Sequence, residues 1–257
     1  MEIVQSAVLG IIQGITEFWP ISSTAHLAIF PWFFSWEDPG LAFDVALHMG
    51  TLIAIIIFFW RDWLSIFRPE NRFLLWFILV GTIPGAIAGY FLNQYADTVL
   101  RAPVIIASAL IVFSIVLYLA DQYGKRFDEI RHLSWAKAIF IGIAQAIAII
   151  PGVSRSGITI SAGLFSGLKR TEAAKYSFML AAPIMLGAGI FKANELWQIG
   201  LVDGNWPVIL VGFLSALVAG ILAIRFLLGF LQRAGFTIFI WYRIILAIVI
   251  ILLIFYK

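Results

Sequence analysis

The chain has 257 residues, of which 62% are hydrophobic and only 12% charged, and its mean hydropathy is +1.01. Charged residues make up about a quarter of soluble domains, so this composition excludes a soluble globular fold and describes one polytopic membrane domain, residues 1–257. The formal net charge of +3 includes no basic tract or aromatic–basic interleaving, which argues against nucleic acid as a partner. The absence of cysteine removes disulfides and thiolate metal sites.

The first apolar region, 2–34, lacks a positive n-region, and Gln13 and Glu17 interrupt it, so it is not a cleaved signal peptide. Pro20 and the polar run Ser22, Ser23, Thr24 divide it into two short pieces, which predicts a re-entrant helix-loop-helix hairpin. Irregular backbone at membrane depth is tolerable only inside protein or beside a wet cavity. Spans long enough for a bilayer follow near 42–60, 73–92 and 103–120. A second divided region lies at 135–168, and three further spans lie near 173–191, 207–228 and 237–256. The predicted fold is all-α, with six spanning helices and two re-entrant hairpins.

The two halves resemble one another. Gly10 and Gln13 match Gly142 and Gln145 at an offset of 132, and Pro20 and Ser23 match Pro151 and Ser154 at 131. Val80, Gly81, Ala88 and Gly89 recur as Val211, Gly212, Ala219 and Gly220. We read repeats of about 1–125 and 132–257. Three crossings per half make the second repeat inverted, so that the hairpins approach from opposite faces and their tips meet near the midplane.

Basic residues test this layout. One set of loops holds Arg61, Arg68, Arg72, Lys125, Arg126, Arg131, Lys137, Lys169, Arg170, Arg225 and Arg233; the other side keeps Arg101, Lys192 and Lys257. Eleven against three assigns the first side to the cytoplasm, and both termini to the outside of the cell membrane. Trp60, Trp63, Trp76, Trp135 and Trp241 read as interfacial anchors, and Asp44, Arg225 and Arg243 as charges snorkelling from span ends.

The chemistry concentrates in the hairpins. On a helix Gln13 and Glu17 share a face, and His26 lies three residues beyond Ser23. The second hairpin offers Ser154, Arg155 and Ser156 among glycines. An arginine at membrane depth needs an anion or carboxylate, and a guanidinium forks well onto phosphate. Taken singly, Ser23 and Gln13 could be interhelical hydrogen-bonding groups, Gly10 with Gly14 a packing pair, and His48 a packed polar residue or an occasional site contact.

The segments "QGITEFWPISSTAH" and "PGVSRSG" resemble the two signature regions of the undecaprenyl-diphosphate phosphatase family, the bacitracin-resistance type of integral membrane lipid phosphatase. The resemblance also takes in "HMGTLIAIIIFFWRD" and "VGTIPGAIAG" and spans essentially the whole chain. It implies hydrolysis of undecaprenyl diphosphate to the monophosphate carrier of cell-wall synthesis, at an outward-facing site. It carries functional roles onto Glu17, Ser23, His26 and Arg155, while Gln13 stands in the first position of a Glu/Gln-x-x-x-Glu pair, so this chain has one carboxylate there, not two.

Within that reading Ser23 is the nucleophile, with His26 or Glu17 as its base or orienter and Arg155 as clamp; attack by His26 itself is the rival. Gln13, Ser22, Thr24, Ser154 and Ser156 are expected to bind substrate, with His48 and Gln145 as further contacts. Glu17 could hold a divalent cation, Mg²⁺ or Ca²⁺, with the lipid's phosphates. The partners expected are a polyprenyl diphosphate and membrane lipids, with a dimer compatible with the sequence. The alternative function is a transporter or lipid flippase, which inverted repeats with broken helices would equally serve.

Overall fold

The computed structural model describes residues 1–37, 40–97, 99–125, 127–199 and 206–256. Arg126 and Lys257, both used in the charge comparison, lie outside them. The described residues form helices α1 (Ile3–Phe18), α2 (Ser23–Phe34), α3 (Leu41–Phe58), α4 (Trp60–Ser65), α5 (Arg72–Asp97), α6 (Pro103–Tyr123), α7 (Trp135–Ile147), α8 (Arg155–Phe165), α9 (Arg170–Ile199), α10 (Trp206–Phe230) and α11 (Thr237–Tyr256), with three short 3₁₀ turns and no strand. Six stretches are long and apolar enough to cross a membrane: Leu41–Phe58, Pro69–Leu92, Pro103–Tyr123, Arg170–Asn194, Trp206–Phe230 and Thr237–Phe255. The chain is an all-helical multi-pass membrane protein.

Helices α1, α2, α7 and α8 have 16, 12, 13 and 11 residues. At 1.5 Å per residue they reach about 17–24 Å, short of the ~30 Å hydrocarbon core. Such lengths are compatible with two hairpins that enter and leave on one side. The first break has a local cause: Trp19, next to Pro20, is pushed out of helical geometry to φ −71°, ψ 141°. The second follows Ala148 and is re-started at Ser154, whose hydroxyl accepts the Gly157 N–H at 3.1 Å.

Two helix crossings repeat. A Cβ on Gly10 of α1 would stand 2.5 Å from the Gly212 carbonyl of α10, and a Cβ on Gly142 of α7 would stand 2.5 Å from the Gly81 carbonyl of α5. Only glycine permits backbones this close. These four residues are the pairs matched in the sequence, so the crossings have the correspondence a duplicated fold would have. The register at the hairpin tips differs from the expected one. Ser22 and Ser154 both precede a helix with positive φ, 73° and 69°, and each hydroxyl meets one two residues on, Thr24 at 3.1 Å and Ser156 at 3.2 Å. The offset of 132 therefore continues through the tips, pairing Ser22 with Ser154 and Ser23 with Arg155. By this geometry Pro20 stands where Gly152 does, two residues before the positive-φ serine, one place from its match to Pro151 in the sequence.

The loops rich in Lys and Arg gather at one end of the bundle. Lys175 of α9 reaches Asp62 of α4 at 2.5 Å, Arg170 reaches Asp121 at 2.6 Å, Lys169 reaches Glu129 at 3.0 Å, and the Phe236 amide donates to Asp121 at 3.1 Å. From that end α5 and α9 run to the opposite end, where Arg101 and Lys192 lie. Trp60, Trp76, Trp135 and Trp241 are each more than half exposed, as interfacial anchors require, whereas Trp63 packs against the core.

Candidate active site

A cavity of about 320 Å³ lies where the hairpin tips meet α3 and α9, with Arg101 and Lys192 among the residues that line it. It is therefore at the end of the bundle away from the gathered basic loops. Glu17, Ser22, Ser23, Thr24, Ser154 and Arg155 line it, together with Asp44 and His48 of α3. Leu41, Val45, Met49, Ile184 and Met185 supply an apolar wall.

At its centre Glu17 receives three side chains. Ser23 Oγ donates to Oε2 at 2.6 Å, Gln13 Nε2 donates to the same oxygen at 3.0 Å, and Arg155 Nη2 donates to Oε1 at 2.7 Å. The carboxylate comes from the last turn of α1, the hydroxyl from the first residue of α2 and the guanidinium from the first residue of α8. Arg155 Nη1 is buried and has no acceptor among the described residues. A buried, unmatched guanidinium nitrogen is costly, and an oxyanion beside it would satisfy it. Ser22 makes no side-chain cap for α2, so the first amides of that helix are not taken by its hydroxyl. A hydroxyl hydrogen-bonded to a carboxylate, beside an arginine, is an arrangement for attack on a phosphoryl group.

His26 stands apart from the cavity. It is 3% exposed, with Nδ1 2.7 Å from the Ser22 carbonyl and Nε2 2.7 Å from the Tyr242 hydroxyl. A carbonyl only accepts, so Nδ1 carries a proton and, in the neutral ring, Nε2 takes the tyrosine hydrogen. His26 thus braces the turn at Ser22 instead of facing Ser23. Two expected substrate contacts are also displaced. Gln13 is fully buried behind Glu17, and Ser156, 1% exposed, donates to the Trp19 carbonyl at 3.2 Å, tying one hairpin to the other. Gln145 donates to the Gly81 carbonyl at 3.3 Å and belongs to the α5–α7 crossing. His48 does line the cavity, its Nδ1 donating to the Asp44 carbonyl at 2.8 Å.

One reading of a charge at a span end is corrected, that of Arg243; Asp44, in the first turn of α3, lines the cavity. Arg243 has no exposure and lies among backbone carbonyls at the hairpin tips. Its depth was available in the sequence, since α11 starts at Thr237 and an arginine six residues into a span is costly unless it has a task.

Residues 6–249 match the family described as "Bacitracin resistance protein BacA". The chain belongs to this family. Among its relatives, "Undecaprenyl-diphosphatase" of Thermodesulfovibrio yellowstonii is 48% identical over 100% of this chain and 99% of its own length. Proteins of the same name from Moorella thermoacetica and Desulforudis audaxviator are 45% and 44% identical, covering 98% and 97% of this chain and 97% of their own lengths. Membership of the BacA family agrees with the resemblance carried by the two hairpin motifs, whose residues make up the cluster around Glu17.

Proposed function

We propose that this chain hydrolyses undecaprenyl diphosphate to undecaprenyl phosphate and inorganic phosphate, recycling the lipid carrier of cell-wall synthesis. The relatives' shared name supports the substrate. The single observation that carries the chemistry is the Ser23–Glu17–Arg155 cluster in a cavity with an apolar wall. Phosphoryl transfer asks the protein chiefly for positioning and charge stabilisation.

Ser23 Oγ attacks the terminal phosphorus as its bond to the bridging oxygen breaks, and Glu17 takes the hydroxyl proton. Undecaprenyl phosphate leaves, its new charge facing Arg155 and the α2 amides. Water then displaces the serine oxygen from phosphorus, Glu17 returns the proton to that oxygen, and the water's protons leave with inorganic phosphate. The 2.6 Å Ser23–Glu17 contact and the engagement of both His26 nitrogens elsewhere favour Ser23 over His26 as nucleophile.

A divalent cation, Mg²⁺ or Ca²⁺, fits this donor set only in part. The described residues contain no cluster of three His, Cys, Asp or Glu able to cage an ion. Mg²⁺ is commonly held by one or two carboxylates plus substrate phosphates, a role Glu17 and the cavity-lining Asp44 suit. There it would neutralise diphosphate charge.

The excess of basic residues among the gathered loops supports their placement in the cytoplasm, with the cavity and termini outside and the chain in the plasma membrane. The repeated glycine crossings would suit a transporter or flippase as well. Phosphate release from undecaprenyl diphosphate by the purified chain in detergent separates the two, because transport needs compartments and hydrolysis does not. Absence of release would reject the phosphatase.

A further inference from the structure

Arg243 lies in α11 with no exposure and with no carboxylate partner among the described residues. Its Nη1 donates to the Pro20 carbonyl at 3.1 Å. Its Nη2 donates to the carbonyls of Gly152 and Val153, each at 3.1 Å, and more weakly to Leu110 at 3.5 Å, while Nε donates to Ser114 Oγ at 3.0 Å. Pro20 and Gly152 each stand two residues before the positive-φ serine that opens α2 or α8. One planar fork therefore grips the same position in both turns. The residue after each of those serines is Ser23 in one hairpin and Arg155 in the other.

We propose that Arg243 is a positioning residue for phosphoryl transfer: it fixes the separation and rotation of the two hairpin tips, and through them the geometry of Ser23 against Arg155. This rests on reading the Ser23–Glu17–Arg155 cluster as the reaction site. A cation this deep is expensive, and a set of carbonyls without a counter-charge is a costly way merely to fill space. Three features bear on its specificity. At either repeat offset the first half carries Ile111 or Val112 where the second has Arg243, so the fork belongs to the joint between halves and not to the repeat itself. Gly157 leaves room both for it and for the Ser154 side chain, since a Cβ there would stand 3.1 Å from Arg243 Nη1 and 3.2 Å from Ser154 Oγ. The positive φ of Ser22 and Ser154 is a conformation that persists only where the surroundings impose it, and Arg243 holds the chain two residues before each, and at Val153 also one residue before.

The test uses the purified full-length chain in detergent, with phosphate release from a short-chain prenyl diphosphate, and folding followed by size-exclusion profile and thermal melting. Displacement of reacting groups by about 1 Å costs on the order of 10²-fold. Arg243→Lys, which keeps the charge but cannot span three carbonyls, is expected to lose about that much kcat with KM within about threefold of wild type. Gly157→Ala keeps the arginine but crowds it, and is expected to lose kcat by at least ~10-fold in the same pattern. A purely structural arginine would instead lower the melting temperature and leave kcat per folded molecule unchanged, and that result in either variant overturns the proposal. Should Arg243→Lys fail to fold, Arg243→Gln, a neutral donor that removes the fork without leaving a buried charge, decides: lost kcat at unchanged KM upholds the proposal, and wild-type kcat overturns it. Inactivity of the wild-type chain would instead indict the reading of the site.

Discussion

Ser23 Oγ and Glu17 Oε2 meet at 2.6 Å across a break between two helices. Within one straight helix, residues six apart point in different directions. The turn enforced before Pro20 folds α2 back so that its first side chain reaches the last turn of α1. The helix break is thus what places the proposed nucleophile, Ser23, beside its proposed base, Glu17.

Ser23→Ala and Glu17→Gln are each expected to lower turnover by at least ~10²-fold, while Ser22→Ala does less. Gln can still accept from Arg155, so Glu17→Gln is expected to keep a monodisperse size-exclusion profile. Near wild-type kcat in Ser23→Ala would end its assignment as nucleophile.

The two nucleophiles also leave different intermediates. Phosphoserine survives acid and phosphohistidine does not, so an acid quench during turnover of labelled substrate is expected to leave phosphate on Ser23. Because His26 is held by Tyr242, Tyr242→Phe should cost a smaller part of what His26→Gln costs, and the two changes together should be less than additive. Label found only after alkaline quench would point to His26.

Orientation can be read with introduced cysteines, as the chain has none. Glu37 follows α2 and Lys125 sits among the gathered basic loops, both exposed. An impermeant thiol reagent added to intact cells is expected to label Glu37→Cys and to spare Lys125→Cys. The opposite pattern would invert the topology, and labelling of both would break the re-entrant hairpin or the charge assignment.

At the loop end, Lys137 Nζ donates to Asp128 at 2.8 Å and holds that carboxyl below the usual range. A depressed carboxyl stabilises the fold above its unfolded pKa of about 3.9 and ceases to do so as pH falls through the lower folded value. Both side chains are about a third exposed, 32% and 34%, so the pair is worth at most about 1 kcal/mol. The melting difference between wild type and Lys137→Met should be full at pH 5 and above and shrink below about pH 4. A difference that grows in acid would contradict the pairing.

The spans were legible because long apolar runs have few other fates, and the polar hairpin residues because they interrupt such runs at cost. Which of those residues face the cavity was not legible. Gln13 and Glu17 share a helix face, yet only Glu17 lines the cavity, because the close α1–α10 crossing at Gly10 and Gly14 buries the turn that carries Gln13. Ser156 and Arg155 are neighbours, and one faces Trp19 while the other faces Glu17. Arg243 escaped because its partners are carbonyls from three distant segments and one hydroxyl, Ser114, which leave no charge pattern in side-chain types.

Arg155 offers the sharpest test of the proposed chemistry. One of its terminal nitrogens is spent on Glu17, and the other has no acceptor among the described residues. If that second nitrogen meets the phosphoryl oxygens, the fork must serve two partners at once, which a lysine ammonium at the end of a flexible stem reproduces poorly. Arg155→Lys is therefore expected to lose kcat by about 10²-fold, the order seen when a donor to transition-state charge is removed. If Arg155 only neutralised bound diphosphate, lysine would largely rescue turnover and the loss would fall on KM. If it were only the structural partner of Glu17, lysine would keep activity, and pairing Arg155→Gln with Glu17→Gln would restore the stability lost by either change alone, since breaking one side of a buried pair costs about 3–5 kcal/mol. Steady-state kinetics on a soluble short-chain prenyl diphosphate, with melting curves beside them, separate the three, and a kcat for Arg155→Lys within about threefold of wild type would reject the clamp.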